Sequence, residues 1–130
     1  LIHLIKLIRS LPECGAGNQP AKILVVAPPP IKMAKGRPEV SETYGCEAGV
    51  ILSHEFASAY KDAAKAYHCG YLDAGLYAEA GDADGVHFTM ESHPRLGKAI
   101  AEAILAMDAN NDGNTDEKHT VDKLKADIEM

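Results

Sequence analysis

A chain of 130 residues is long enough for one compact domain and too short for two. Apolar residues make up 46% and charged residues 25%, the balance of an ordinary soluble globular protein, and no apolar run approaches the roughly 18 residues of a membrane span. Thirteen basic residues stand against nineteen acidic ones, a net charge of −6, which argues against a nucleic-acid partner because such proteins present a basic face.

In chain order, Leu1, Leu4, Ile5, Ile8 and Leu11 recur at helical spacing until Pro12. Gly15, Gly17 and Pro20 then read as a loop. Ile23-Leu24-Val25-Val26-Ala27 is a continuous, β-branched-rich run, the signature of a strand buried on both faces of a parallel sheet. Pro28-Pro29-Pro30 ends it, since proline cannot donate to a ladder. The segment 31–49 shows no period and is expected to be a long loop. From Val50 one helix is expected, with Leu52, Phe56, Tyr60, Ala63 and Tyr67 as its apolar stripe. Tyr71-Leu72-Asp73-Ala74 reads as a second strand, and strand–helix–strand implies parallel pairing. After a Gly/Ala/Asp-rich loop, a last helix opens near Ser92-His93-Pro94, with Leu96, Ile100, Ala103, Ile104 and Met107 on its apolar side.

Charge divides the chain. Residues 1–107 hold twelve acids and ten bases, whereas 108–130 hold seven acids and three bases. The expected organisation is therefore a domain over 1–107 and an acidic polar tail with a short helix over 108–130. Two strands do not make a stable open sheet, and the chain starts in mid-pattern at Leu1. Both features suggest part of a longer protein. Three cysteines without paired spacing, Cys14, Cys46 and Cys69, suggest a reduced, cytoplasmic setting.

The segment that carries chemistry is Asp84-Gly85-Val86-His87-Phe88-Thr89. An Asp three residues before a His, across a flexible Gly, can accept a hydrogen bond from one imidazole nitrogen. That bond fixes the tautomer and frees the other nitrogen to take a proton from a nucleophile. The same loop lies beyond the carboxyl end of the second strand, where open α/β sheets place their sites. The run 84–89, then His93 and Leu96-Gly97-Lys98-Ala99-Ile100-Ala101, resembles the last block of the SGNH (GDSL-type) hydrolases. Lys22 to Ile31 resembles the strand and proline turn of that family's arylesterase branch, and Tyr71-Leu72-Asp73-Ala74-Gly75 its next strand.

The resemblance covers about residues 1–107. It implies an α/β fold, namely the C-terminal part of a flavodoxin-like three-layer α/β/α sandwich with a parallel sheet. It also implies hydrolysis of small carboxylic (acetyl or aryl) esters, with His87 as base and Asp84 as its orienting acid. No cofactor, metal, nucleic acid or membrane is expected; the implied partner is a small ester, with a homo-oligomer left open. The sequence departs from the family in two places. It has no Gly-Asp-Ser nucleophile block, its serines being Ser10, Ser41, Ser53, Ser58 and Ser92, and it has no Gly-x-Asn-Asp block. A chain with two of three triad members is expected to be inactive alone.

Other candidates are weaker. His93 reads as a contact at the start of the last helix, and His54 and His68 as surface or packing residues. Pro28 to Pro30 and the segment 31–49 could wall an acyl pocket or a subunit interface. Asp108-Ala109-Asn110-Asn111-Asp112-Gly113 matches the opening of an EF-hand loop, but His119 stands where a bidentate Glu is needed and Thr115 where an aliphatic residue belongs. The alternative to a serine esterase is thus a non-catalytic association module with a weak calcium-binding tail.

Overall fold

The computed structural model describes residues 1–110. The elements are α1 (Ile2–Arg9), β1 (Leu24–Ala27), α2 (Pro38–Thr43), α3 (Cys46–Ser53), α4 (Phe56–Ala66), β2 (Gly70–Asp73) and α5 (Ser92–Ala109), with short 3-10 turns at Ala16–Asn18 and Ala74–Leu76. The strands pair in parallel, Leu24 beside Gly70 through Ala27 beside Asp73.

The period-2 alternation of a strand sorts the apolar residues into two cores. On one face Val25 packs with Ile5 of α1 and Ala64 of α4, with Tyr60, Tyr67 and Tyr71 closing around them. On the other face Val26 and Leu72 pack against Ala74, Ala78 and Leu96, with Ile100 of α5 and Phe88. Helices α1 and α4 therefore cover one side of the sheet and α5 the other. This is the three-layer α/β/α arrangement with a parallel sheet.

Several sequence expectations change. The strands are not buried throughout: Val25 and Ala27 are buried, Leu24 and Val26 are half-buried, and all of β2 is half-buried. Among the described residues the sheet has two strands, covered on both faces and unpaired at both edges. The segment 31–49 is not a loop, because it contains α2 and the start of α3. Pro38 occupies the first turn of α2, where its missing N–H costs nothing. Six residues are too few to display a helical period, which hid α2 from a periodicity reading. Gly45 (φ +84°) separates the two helices. Gly49 then lets α3 turn directly over Tyr44, whose carbonyl oxygen would lie 1.7 Å from any Cβ there.

The helix expected from Val50 is two helices, broken at His54-Glu55. There the His54 and Glu55 N–H groups bond three residues back, to Ile51 and Leu52. The break turns Leu52 outward, 58% exposed, while Ala64 becomes the buried position of α4. In α5 the buried residues are Ser92, Leu96, Ala99 and Leu105, and Ile104 is exposed. On α1, Ile5 is buried while Leu4 and Leu7 face outward, as does Leu11 just past its end.

Asp108 lies within α5, where its carboxylate accepts from Lys22 Nζ at 2.8 Å. The remainder of the EF-hand-like segment, from Asn111, lies outside the described residues, as does the expected tail helix.

Candidate functional site

The site is built from the two segments that follow the strands. Residues 31–49 follow the carboxyl end of β1, and residues 79–89 lie between β2 and α5. Both therefore sit at the carboxyl edge of the parallel sheet, where such folds place their chemistry.

The second segment is held at its base by Ser92, which is fully buried. Its hydroxyl accepts from the Glu79 N–H at 3.0 Å and lies 2.7 Å from Thr89 Oγ1. A bridge between Ala80 and Phe88 closes the loop, and Gly81 N–H donates to the His87 carbonyl at 2.7 Å. At its tip Gly85 takes φ +73°, and its carbonyl accepts from Lys32 N–H at 2.8 Å. A Cβ at this position would lie 2.0 Å from the Lys32 carbonyl oxygen, so only glycine fits. Lys32 and Lys35 add ion pairs to Glu79 and Asp82 across the same seam. The Lys35 ammonium beside Asp82 holds that carboxyl below its usual range.

The first segment is braced by two more buried serines. Ser41 Oγ accepts from Ala34 N–H at 2.9 Å. Ser53 Oγ accepts from Ile31 N–H at 3.0 Å and donates to the Val50 carbonyl at 2.7 Å. These hydroxyls are committed to the backbone of the loops.

Asp84 and His87 are brought together as the spacing predicts. Asp84 Oδ1 accepts from the backbone N–H groups of Val86 and His87, both at 2.9 Å, an Asx-type turn that the intervening Gly85 permits. Its second oxygen, Oδ2, lies 2.5 Å from His87 Nδ1. The Val86 N–H, the His87 ring and the His87 N–H together hold the Asp84 carboxyl far below the usual carboxylate range. An ionised carboxylate accepts only, so Nδ1 carries the proton, and in the neutral ring the lone pair is left on Nε2. The Asp84 side chain is 19% exposed and the His87 side chain 88%, so the acid is sheltered while the imidazole stands open.

A cavity of about 250 Å³ opens beside this pair. One wall is Asp84 and His87; the other is Arg37, Glu39 and Val40 of the α2 region, with Tyr44 just past its end. The Arg37 Nε donates to Glu39 Oε1 at 3.0 Å. The Glu39 backbone N–H and then the Arg37 guanidinium hold the Glu39 carboxyl below its usual range. The sequence reading named the segment 31–49 as a possible pocket wall but singled out none of these residues. The signal available was Pro38, a helix-start residue between Arg37 and Glu39.

The remaining candidates lie elsewhere. Pro28 to Pro30 do not line this cavity; Pro29 and Pro30 pack against Gly75. The His93 ring tilts against Phe88, centroids 5.8 Å apart, at the start of α5. His54 caps α3 at its carboxyl end, and the His68 carbonyl accepts from Arg9. Neither lines the cavity. Among the described residues no three His, Cys, Asp or Glu side chains group closely enough to hold a metal ion.

Solved structures share this architecture. A carbohydrate acetylesterase family member from Sinorhizobium meliloti superposes with a TM-score of 0.71 and 27% identity, covering 80% of this chain and 47% of its own. The native aryl esterase of M. smegmatis gives 0.67 and 28%, covering 79% and 47%. A further structure of a carbohydrate acetylesterase from Sinorhizobium meliloti gives 0.65 and 31%, covering 80% and 49%. The chain has the fold of the SGNH-type ester hydrolases. It spans about half the length of the solved SGNH-type esterases it matches. No protein-family model matches the chain, and no curated protein is significantly similar in sequence.

Proposed function

We propose that this chain is the acid–base half of an SGNH-type serine ester hydrolase acting on small carboxylic esters, acetyl or aryl. His87 Nε2 takes the proton from a serine supplied by sequence outside these 130 residues. The serine oxygen bonds to the ester carbonyl carbon, the bond to the alcohol oxygen breaks, and His87 returns the proton to that oxygen. Water then attacks the acyl-serine with the same assistance. Asp84 keeps the proton on Nδ1 and stabilises the imidazolium that forms.

The observation that carries this reading is the Asp84–His87 pair, whose imidazole stands exposed beside a cavity at the carboxyl edge of the sheet. The structural neighbours, an acetylesterase family member and an aryl esterase, support the ester class. A serine outside the chain is supported by the absence of a Gly-Asp-Ser run and by the commitment of Ser41, Ser53 and Ser92 to loop backbone. The 130 residues alone are expected to be inactive.

Serine-directed fluorophosphonate labelling tests the assignment. In the intact protein the label should map to a serine outside residues 1–130, and His87→Ala should slow labelling by at least about 10³-fold. Labelling of Ser10, Ser41, Ser53, Ser58 or Ser92 that depends on His87 would overturn it.

A further inference from the structure

We propose that Ser41, together with Ser53, is a positioning residue for the base: it sets the place of the Asp84–His87 turn through a strap, residues 31–35. This rests on the reading of His87 as the base of an ester hydrolase. Four backbone N–H groups of the strap donate alternately to its two sides. Ile31 donates to Ser53 Oγ at 3.0 Å and Ala34 to Ser41 Oγ at 2.9 Å, which ties the strap to α3 and α2. Lys32 donates to the Gly85 carbonyl at 2.8 Å and Lys35 to the Asp82 carbonyl at 3.2 Å, which ties it to the loop of the pair on either side of Asp84. All four bonds are made within residues 31–85.

The strap transmits a displacement because no side chain lies between it and the turn. Gly85 meets it backbone to backbone: a Cβ there would lie 2.0 Å from the Lys32 carbonyl oxygen and 3.4 Å from the Ala34 nitrogen. The ion pairs from Lys32 to Glu79 and from Lys35 to Asp82 join exposed side chains and hold little by themselves. The place of the turn is therefore left to the backbone bonds of the seam and to the two serines that fix the strap from its other side. Both serines are buried, and an alanine at either removes little more than the acceptor. A base that must reach a nucleophile is sensitive to such a release, since a misplacement of about 1 Å can cost about 100-fold in rate.

The test is steady-state turnover of 4-nitrophenyl acetate by the intact protein. Ser41→Ala should lower kcat about tenfold with KM unchanged, and Ser41→Thr, which keeps the hydroxyl, should restore most of it. Ser53→Ala, which releases the strap's other anchor, carries the same expectation. In a Gly85→Ala background, where the seam is already displaced, Ser41→Ala should cost less than about twofold more, since both act through one contact. Tyr71→Phe is the control: it loses a bond of the same kind, from the Tyr71 hydroxyl to the Ala57 carbonyl at 2.7 Å, and should leave kcat unchanged. An unchanged kcat in Ser41→Ala, losses that multiply with those of Gly85→Ala, or an equal loss in Tyr71→Phe would overturn the positioning role and leave the esterase reading standing. Turnover by the intact protein that His87→Ala leaves unchanged would overturn both.

Discussion

Gly85→Ala is the sharpest perturbation of the site, because it removes nothing that reacts. Gly85 sits at φ +73°, a region that costs an L-residue about 1–2 kcal/mol. The added Cβ would meet the Lys32 carbonyl oxygen at 2.0 Å and its carbon at 2.8 Å, where ordinary contacts begin near 3.4 Å. Both neighbours are backbone, so no side-chain rotation relieves the overlap, and one segment must withdraw by about 1 Å or more. That movement stretches the Lys32 N–H to Gly85 carbonyl bond, now 2.8 Å, whose net worth is about 1 kcal/mol. The expected destabilisation is roughly 2–4 kcal/mol. Because Gly85 links Asp84 to His87, the same shift misplaces the imidazole, and a misplacement of about 1 Å can cost about 100-fold in turnover. Urea unfolding and acetyl-ester turnover of the intact protein measure the two effects. Gly97→Ala in α5 is the matched control: nothing lies within 4 Å of its Cβ position, and exchange in a helix should stabilise by about 0.5–1 kcal/mol. A Gly85→Ala protein with unchanged midpoint and turnover would refute the account of how this loop is held.

Asp84→Asn keeps an acceptor for the Val86 and His87 N–H groups but turns a donor towards Nδ1, which forces the proton to Nε2; turnover should fall about 10⁴-fold with the fold intact by circular dichroism. Ser92→Ala removes the fully buried hydroxyl that accepts from the Glu79 N–H and pairs with Thr89 Oγ1, and should cost about 1–3 kcal/mol by urea unfolding. Asp84 also makes stability depend on acid: its folded pKa lies below the unfolded value near 3.9, so its contribution is complete above that value and is lost as pH falls through the folded pKa. Unfolding free energy followed from pH 6 to pH 2 should fall less steeply in Asp84→Asn than in the unmodified protein.

What the sequence disclosed followed from local rules. The apolar run ending at Pro28 marked β1, and a second apolar run after a helix marked its parallel partner. Asp84 and His87 could be paired because their bond closes within four residues and needs only the Gly85 turn. The alternation that sends Val25 to α1 and α4 and Val26 to α5 was implicit in the strand, although a uniformly apolar run does not reveal which face is which. What escaped depended on tertiary context. Helix α2 is six residues long and is held by the buried Ser41 hydroxyl, which has no periodic signature. The break at His54-Glu55 comes without proline or glycine; the buried Ser53 hydroxyl at the end of α3 is tied to Ile31. The cavity wall of Arg37, Glu39 and Tyr44 became visible only once that helix was set opposite His87.

The central claim is that His87 is the base of an ester hydrolase whose nucleophile lies outside these residues. Acetyl-ester turnover, measured for the 130-residue chain and for the intact protein, each with and without His87→Ala, tests it most directly. The account predicts no His87-dependent turnover by the chain alone, and turnover by the intact protein that falls at least about 10³-fold in His87→Ala. Turnover by the chain alone that His87→Ala abolishes, or by the intact protein that His87→Ala leaves unchanged, would contradict it.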